Sequence, residues 1–315
     1  LKYFKWVIFT MGLRLKIIVN PSSGRERAKS NVEDILAYLS SINQLERADI
    51  CYTAAKHDAT RFARTINPEE YDCVIAAGGD GTVNEVVTGI MQEGIDIPLA
   101  IYTSGTVNDL ATSINLPSEP NDFARMLLRK KTSRIDCGKV GDYYFMNVLA
   151  GGLMTDVAYK VPSALKTNLG PVAYWISALA DFPDLNRTIQ LKITANDVKY
   201  DVEATLFFVS NSQSVAGFRK LMTEAELNDG LLDVLVLRKV AYADVFPLLG
   251  KLMVGDHIYN DNVIYFQTDM LSIETDADTH VVTDLDGEKG PALPVNIECL
   301  HKALKLIVPD EEDVL

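Results

Sequence analysis

From Leu13 through Leu15, Ile17 and Val19, apolar residues alternate with polar ones at the period of a half-buried β-strand. A polar turn follows at residues 20–24, and Ala28, Val32, Ile35, Leu36 and Leu39 then recur on one helical face. The same succession repeats three times. Residues 49–53 read as a strand, and a helix carrying Phe62, Ala63 and Ile66 follows. Residues 71–75 lead through a glycine-rich turn into a helix with Val83, Val86, Val87, Ile90 and Met91 on one side. Residues 99–102 open onto the polar stretch 104–111. Four strand–helix units in a row predict a parallel sheet with crossover helices, whose ligands bind beyond the carboxyl ends of the strands. The three polar turns would then share one edge.

Beyond Arg134 the period changes from helical to alternating. Residues 135–140 and 143–148 flank Gly141-Asp142, and residues 189–193 and 198–208 flank Asn196-Asp197, so both pairs read as tight hairpins. Val295, Ile297 and Cys299, then Leu304, Leu306 and Val308, alternate as further strands. The expected architecture is an α/β N-terminal domain with a parallel sheet over residues 12–132. A mostly antiparallel β-sandwich C-terminal domain is expected over residues 133–300. Between the hairpins a helix is expected at residues 171–180, its apolar face serving either as core or as an acyl-chain groove.

The candidate chemistry gathers at the turns. In Gly78-Gly79-Asp80-Gly81-Thr82, glycines let the backbone turn tightly and approach a ligand. The helix that follows points unpaired N–H groups and its positive dipole end at the same space, which suits a phosphate. An acid at the centre of an anion site makes sense if a divalent cation lies between Asp80 and the phosphates, or if Asp80 takes a proton or hydrogen bond from another ligand group. The first turn, Asn20-Pro21-Ser22-Ser23-Gly24, offers hydroxyls and N–H groups to a nucleotide phosphate, with Arg25 and Arg27 nearby. Its serines also suit a helix cap, and the two readings are compatible.

Composition narrows the classes. The 315 residues, 48% of them hydrophobic, suffice for two cores. A net charge of -13 argues against holding nucleic acid by bulk charge. Cys51, Cys73, Cys137 and Cys299 have neither metal-ligand spacing nor a disulfide framework, which fits a reducing, cytoplasmic setting. No apolar run approaches the length of a membrane span, so any lipid contact is expected to be peripheral. Residues 1–10 read as an extension, with Met11 a candidate start and a weak interfacial anchor the alternative. Gly217-Phe218-Arg219-Lys220, a glycine-started loop, offers an aromatic beside two cations for membrane docking, or else is a solvated loop whose Phe218 folds inward.

In combination and order, residues 20–24, Gly78-Gly79-Asp80-Gly81-Thr82 with Asn84-Glu85, and Gly105-Thr106-Val107-Asn108-Asp109-Leu110-Ala111 resemble the signature blocks of the diacylglycerol kinase catalytic domain, closest to soluble bacterial lipid kinases. The resemblance runs from about Leu13 through almost the whole chain. It implies ATP and Mg2+ as cofactors and a lipid at the inner membrane face as acceptor. ATP would be held by Asn20, Pro21, Ser22, Ser23, Gly24, Thr53, Gly78, Gly79, Asp80, Gly81, Thr82, Val83, Asn84, Thr106, Asn108 and Asp109, with Asp80 and Asp109 acting around its Mg2+. Val107 stands where the family often has a smaller residue.

Further along, Glu226 and Asp229 with the Leu231 carbonyl can supply oxygens to a hard cation, although Asp229-Gly230 is also a plain turn signal. The resemblance favours a structural Mg2+ there. Three carboxylates surround the turn in residues 284–288, a solvated turn when taken in isolation. The resemblance implies that Glu288 removes the proton from the lipid hydroxyl, with Asp286 as rival or helper and Asp80 completing the catalytic set. It also implies that residues 301–315 pack back on the first domain. Phosphoryl transfer depends mainly on positioning, metal charge and a base near the attacking oxygen. Diacylglycerol, giving phosphatidic acid, is the leading acceptor. A sphingoid-base kinase, an NAD kinase-like transferase and a non-catalytic lipid-binding regulator stand as alternatives. A homodimer stays open.

Overall fold

The computed structural model describes residues 12–23, 27–103, 109–152, 188–215, 218–240 and 242–310. The first half is built from β1 (Leu13–Val19), α1 (Arg27–Ser41), β2 (Leu45–Tyr52), α2 (Asp58–Arg64), β3 (Cys73–Gly78), α3 (Asp80–Glu93), β4 (Leu99–Thr103), α4 (Asp109–Ser113) and α5 (Pro120–Arg129). Its strands lie side by side in the order β2, β1, β3, β4, all parallel. Alternate residues of each strand serve opposite faces. Leu15, Ile17, Cys73 and Ile75 pack under α1 and α5, while Ile18, Val74 and Ala76 pack under α2 and α3. β2 begins at Leu45, earlier than its sequence pattern predicts, because an edge strand carries exposed residues such as Glu46 and Arg47 without cost to the core.

The second half comprises β5 (Thr132–Val140), β6 (Tyr143–Phe145), β7 (Val148–Gly152), β8 (Ile189–Ala195), β9 (Val198–Ser210), β10 (Leu232–Arg238), α6 (Tyr242–Val254), β11 (Val263–Thr268), β12 (Met270–Thr275), β13 (Val282–Leu285), β14 (Glu288–Ala292) and β15 (Val295–Ile307). Its strands pair antiparallel and form a β-sandwich around Phe145, Leu149, Leu191, Ile193, Phe207, Val209, Val234, Ile273 and Ile297. The predicted turn at Asn196-Asp197 joins β8 to β9, with both residues at positive φ, the geometry that two-residue hairpins favour.

Two long strands join the halves. β15 runs beside β5 along nearly its whole length, bulging between Leu300 and Leu304, and its end pairs parallel with β4 at Leu306 and Leu99. Where the alternation predicts one strand over residues 143–148, the chain instead breaks into β6 and β7 at Met146-Asn147. Their backbone N–H groups turn to the carboxylate of Asp286. A tertiary acceptor has displaced ladder pairing.

Candidate active site

The turn after β1 and the turn after β3 meet because these strands are neighbours. Asn20 N–H donates to the Ala77 carbonyl at 2.9 Å, and the Asn20 side chain donates to Thr82 Oγ1 at 3.3 Å. Its amide oxygen accepts from Ser22 N–H at 3.1 Å and Ser22 Oγ at 2.7 Å. Pro21 and Ser23 complete this turn. Thr53 follows β2 and is tied to β1 through Val19. Asp80 opens α3 behind Gly79, an extended N-cap residue with no side chain to cap the first N–H groups of the helix. A Cβ at Gly78 would lie 2.6 Å from Thr82 Oγ1, so the tightness of this turn requires glycine. Val83 is buried in the core beneath it.

From the other half of the chain, β13 and β14 form a hairpin with Asp286-Gly287 at its tip, both at positive φ. This hairpin delivers Glu288 to α3. Glu288 Oε1 lies 2.8 Å from the point where a Cβ on Gly81 would stand. Its other oxygen accepts from Lys56 Nζ at 2.7 Å. Lys56 sits in the loop between β2 and α2, and the ion pair with Glu288 holds its pKa above the ordinary lysine value. The loop is fixed on both sides. Asp58 accepts from Ala54 and Ala55 N–H, and Glu85 on α3 accepts from His57 and Ala59 N–H. Arg61, then the Ala54 and Ala55 N–H groups, lower the Asp58 pKa to about 2.

Asp286 occupies a different position from its neighbour. Its carboxylate accepts from Met146 N–H at 2.9 Å, Asn147 N–H at 3.0 Å, Val148 N–H at 2.8 Å and Asn84 Nδ2 at 3.1 Å. Burial of the carboxyl group pushes its pKa up, and these four donors pull against that shift. With both oxygens engaged, Asp286 acts as a clamp between β7, the hairpin and α3, a geometry at odds with a rival base. The Asn84 amide, expected on the nucleotide, is directed instead at Asp286 and at the Tyr144 carbonyl, 2.9 Å away. Asn84 thus stitches α3 to the second half.

Two family models match this architecture. The diacylglycerol kinase catalytic domain matches residues 14–140, and the YegS C-terminal NAD kinase beta sandwich-like domain matches residues 148–308. A diacylglycerol kinase of Staphylococcus haemolyticus (strain JCSC1435) is 35% identical over 300 residues, covering 94% of this chain and 88% of its own. One from Staphylococcus aureus (strain MRSA252) is 33% identical over 302 residues, covering 96% and 94%. The chain belongs to the diacylglycerol kinase family. A crystal structure of a family member from Bacillus anthracis str. Sterne superimposes with a TM-score of 0.77 at 26% identity, covering 95% of this chain and 98% of that one. The yeast NADH kinase shares the fold, with a TM-score of 0.53 at 12% identity over 97% of this chain and 86% of its own.

Other residues expected to serve the diacylglycerol kinase chemistry lie on other elements or outside the described residues. Gly24, Arg25, Thr106 and Asn108 lie outside them, as does the helix expected at 171–180. Asp109 opens α4. In the segment expected to hold a structural metal, Glu226 and Asp229 are exposed, and Asp229 Oδ1 accepts from Leu231 N–H at 2.9 Å. Among the described residues no three His, Cys, Asp or Glu side chains are grouped to hold a metal ion. Phe218 turns inward, 9% exposed, against Val148, Phe208 and Met222. That corrects the reading of Phe218 as a docking aromatic, since the pocket beside β7 outcompetes water for the ring.

Two residues escaped sequence reasoning. Lys56 gave no signal, being one lysine in a polar loop. Asp136 did: it is an acid within the apolar run of β5. It is fully buried and accepts from Gly230 and Lys302 N–H, each at 2.6 Å, with His301 Nδ1 3.0 Å away. It fastens the 227–230 segment to the β15 bulge.

Proposed function

We propose that this chain is an ATP- and Mg2+-dependent lipid kinase that phosphorylates the hydroxyl of diacylglycerol to give phosphatidic acid. The observation that carries this reading is the Glu288 carboxylate delivered against Gly81, at the helix end suited to the phosphates. The N-terminal end of α3 behind Gly79 and the Asn20–Ser22 turn offer backbone N–H groups and hydroxyls suited to phosphate oxygens. Asp80 supplies the carboxylate a magnesium ion would need there, and that ion, when bound, neutralises charge developing on the phosphates.

In the transfer itself, Glu288 takes the acceptor hydroxyl proton as the oxygen attacks the γ-phosphorus. The new O–P bond forms while the bond to the bridging oxygen breaks, and ADP leaves with that electron pair. Asp286 holds the hairpin so that Glu288 meets the attacking oxygen. Glu226, Asp229 and the Leu231 carbonyl would hold a second, structural Mg2+, which their oxygen chemistry suits.

The acceptor is dissolved in a bilayer, and no helix among the described residues is long and apolar enough to cross one. Peripheral docking is therefore part of the proposal. Val254, 62% exposed, precedes Gly255, and Tyr259, 80% exposed, ends the short helical turn Asp256–Tyr259 that Gly255 opens. Lys220 packs within 3.8 Å of a Cβ built there, and Arg219 and Lys251 are also exposed. Apolar tips among cations suit an anionic interface, with Asp256 and Asp261 as opposing charges.

An ATP-consumption screen with diacylglycerol, sphingosine, monoacylglycerol, phosphatidylglycerol and NAD in mixed micelles tests the proposal. Turnover is expected with diacylglycerol and dependent on magnesium. Turnover with NAD alone would overturn it.

A further inference from the structure

We propose that Lys56 is a positioning residue that exchanges partners during turnover, holding Glu288 before nucleotide binds and turning to the terminal phosphate afterwards. This inference rests on the lipid-kinase reading of the site. Lys56 and Glu288 join the two halves of the molecule across 232 positions of chain, with Nζ 2.7 Å from Oε2. The opposite oxygen of the same carboxylate faces Gly81 in the first turn of α3. The ammonium therefore stands one carboxylate group away from the helix end proposed for the phosphates.

The pair is built to open. Its side chains are 59% and 45% exposed, so water competes with the contact and little stability depends on it. Asp286, one turn residue away, shows what a permanent joint looks like here, with four donors around its carboxylate. The backbone around Lys56 does not need to move, because Asp58 and Glu85 pin residues 54–59 on either side. Only the flexible four-carbon stem has to swing. A nucleotide triphosphate offers several anionic oxygens against one carboxylate, and an ammonium follows the larger charge. Departure of Lys56 leaves both Glu288 oxygens free for the acceptor hydroxyl. Arrival of ATP would thus both recruit a phosphate ligand and release the base.

The test is a double-mutant cycle read as binding of MgATP by calorimetry without any lipid, on the parent, Lys56→Ala, Glu288→Gln and the double variant. Partner exchange predicts that Lys56→Ala weakens MgATP by about tenfold or more, the size of one charged phosphate contact. Glu288→Gln should tighten it by about three- to tenfold, because Lys56 no longer has to be released first. That gain should vanish in the Lys56→Ala background. If Glu288→Gln tightens binding equally in both backgrounds, the gain is simple relief of charge repulsion and the exchange is refuted. Unchanged binding in Lys56→Ala refutes it as well. Steady-state kinetics add a second readout: Lys56→Ala should raise KM for ATP more than it lowers kcat, and Lys56→Arg should recover most of the loss. Proportional losses in both parameters with no rescue would mark a merely structural role. Failure of the lipid-kinase reading is separate, since it would show as no turnover of any lipid by the parent, whereas the binding cycle needs no lipid.

Discussion

Replacing Gly81 with alanine adds one methyl group at the point where the two halves of the site touch. The new Cβ would stand 2.8 Å from Glu288 Oε1, against 3.4 Å or more for ordinary contact, so the carboxylate must retreat by about 0.6 Å. It can do so cheaply, because it is the far end of a flexible side chain that is 45% exposed. The fold should therefore tolerate the change, and alanine's better helix propensity offers up to about 1 kcal/mol in return. Catalysis should not tolerate it. A misplacement of about 1 Å can cost about 100-fold, so a shift of this size should lower kcat by about 10- to 100-fold, or about 1.4–2.7 kcal/mol of barrier.

The assay pairs kcat on diacylglycerol in mixed micelles with MgATP affinity and the thermal midpoint. The expected result is a fall in kcat well beyond any loss of MgATP affinity, and a melting temperature unchanged or raised by about 2 °C. Gly78→Ala is the contrasting control. Its Cβ would lie 2.6 Å from the Cβ and Oγ1 of buried Thr82, which cannot swing away, so about 1–3 kcal/mol of stability should be lost. If Gly81→Ala keeps kcat within about twofold, or loses it only in step with ATP binding or folding, the contact with Glu288 does not position a base.

Other variants probe the remaining parts. Asp286→Ala strands four N–H donors and should cost about 3–5 kcal/mol in chemical denaturation with an unchanged m-value; a loss under about 1 kcal/mol would contradict the clamp. Burial lifts the Asp233 pKa to about 6, above the unfolded value, so its contribution to stability is present in acid and lost as the pH rises through 6. Relative to Asp233→Asn, the parent should lose about 2–3 kcal/mol between about pH 4 and pH 7, and parallel stability curves would exclude this. Asp229→Ala should abolish the thermal stabilisation that added magnesium gives the parent; equal stabilisation of both would count against a metal at that turn. Serine at both Val254 and Tyr259 should reduce sedimentation with anionic vesicles by about tenfold while sparing turnover of a short-chain, water-soluble acceptor, and equal losses in the two assays would assign these residues to the fold.

Much of the architecture was legible because it is written in local periods. The alternation at Leu13 to Val19, the helical spacing from Val83 to Ile90 and the Asn196-Asp197 turn each encode backbone geometry within a few residues, and the structure realises each of them. The glycines around Asp80 were equally readable, since close backbone approach demands the residue type itself. β2 was only partly visible, as an edge strand tolerates the polar residues that hide its period. Tertiary structure alone decided what crosses between the halves. Nothing near Met146 announces that a strand will break for a carboxylate 140 positions away. The inward turn of Phe218, the use of Asn84 as a stitch and the meeting of Lys56 with Glu288 depend on the register of β13 against β7 and on the joint made by β15. Local sequence sets torsion and period; which carboxylate faces which donor is settled only when distant strands align and burial compels each polar group to find a partner.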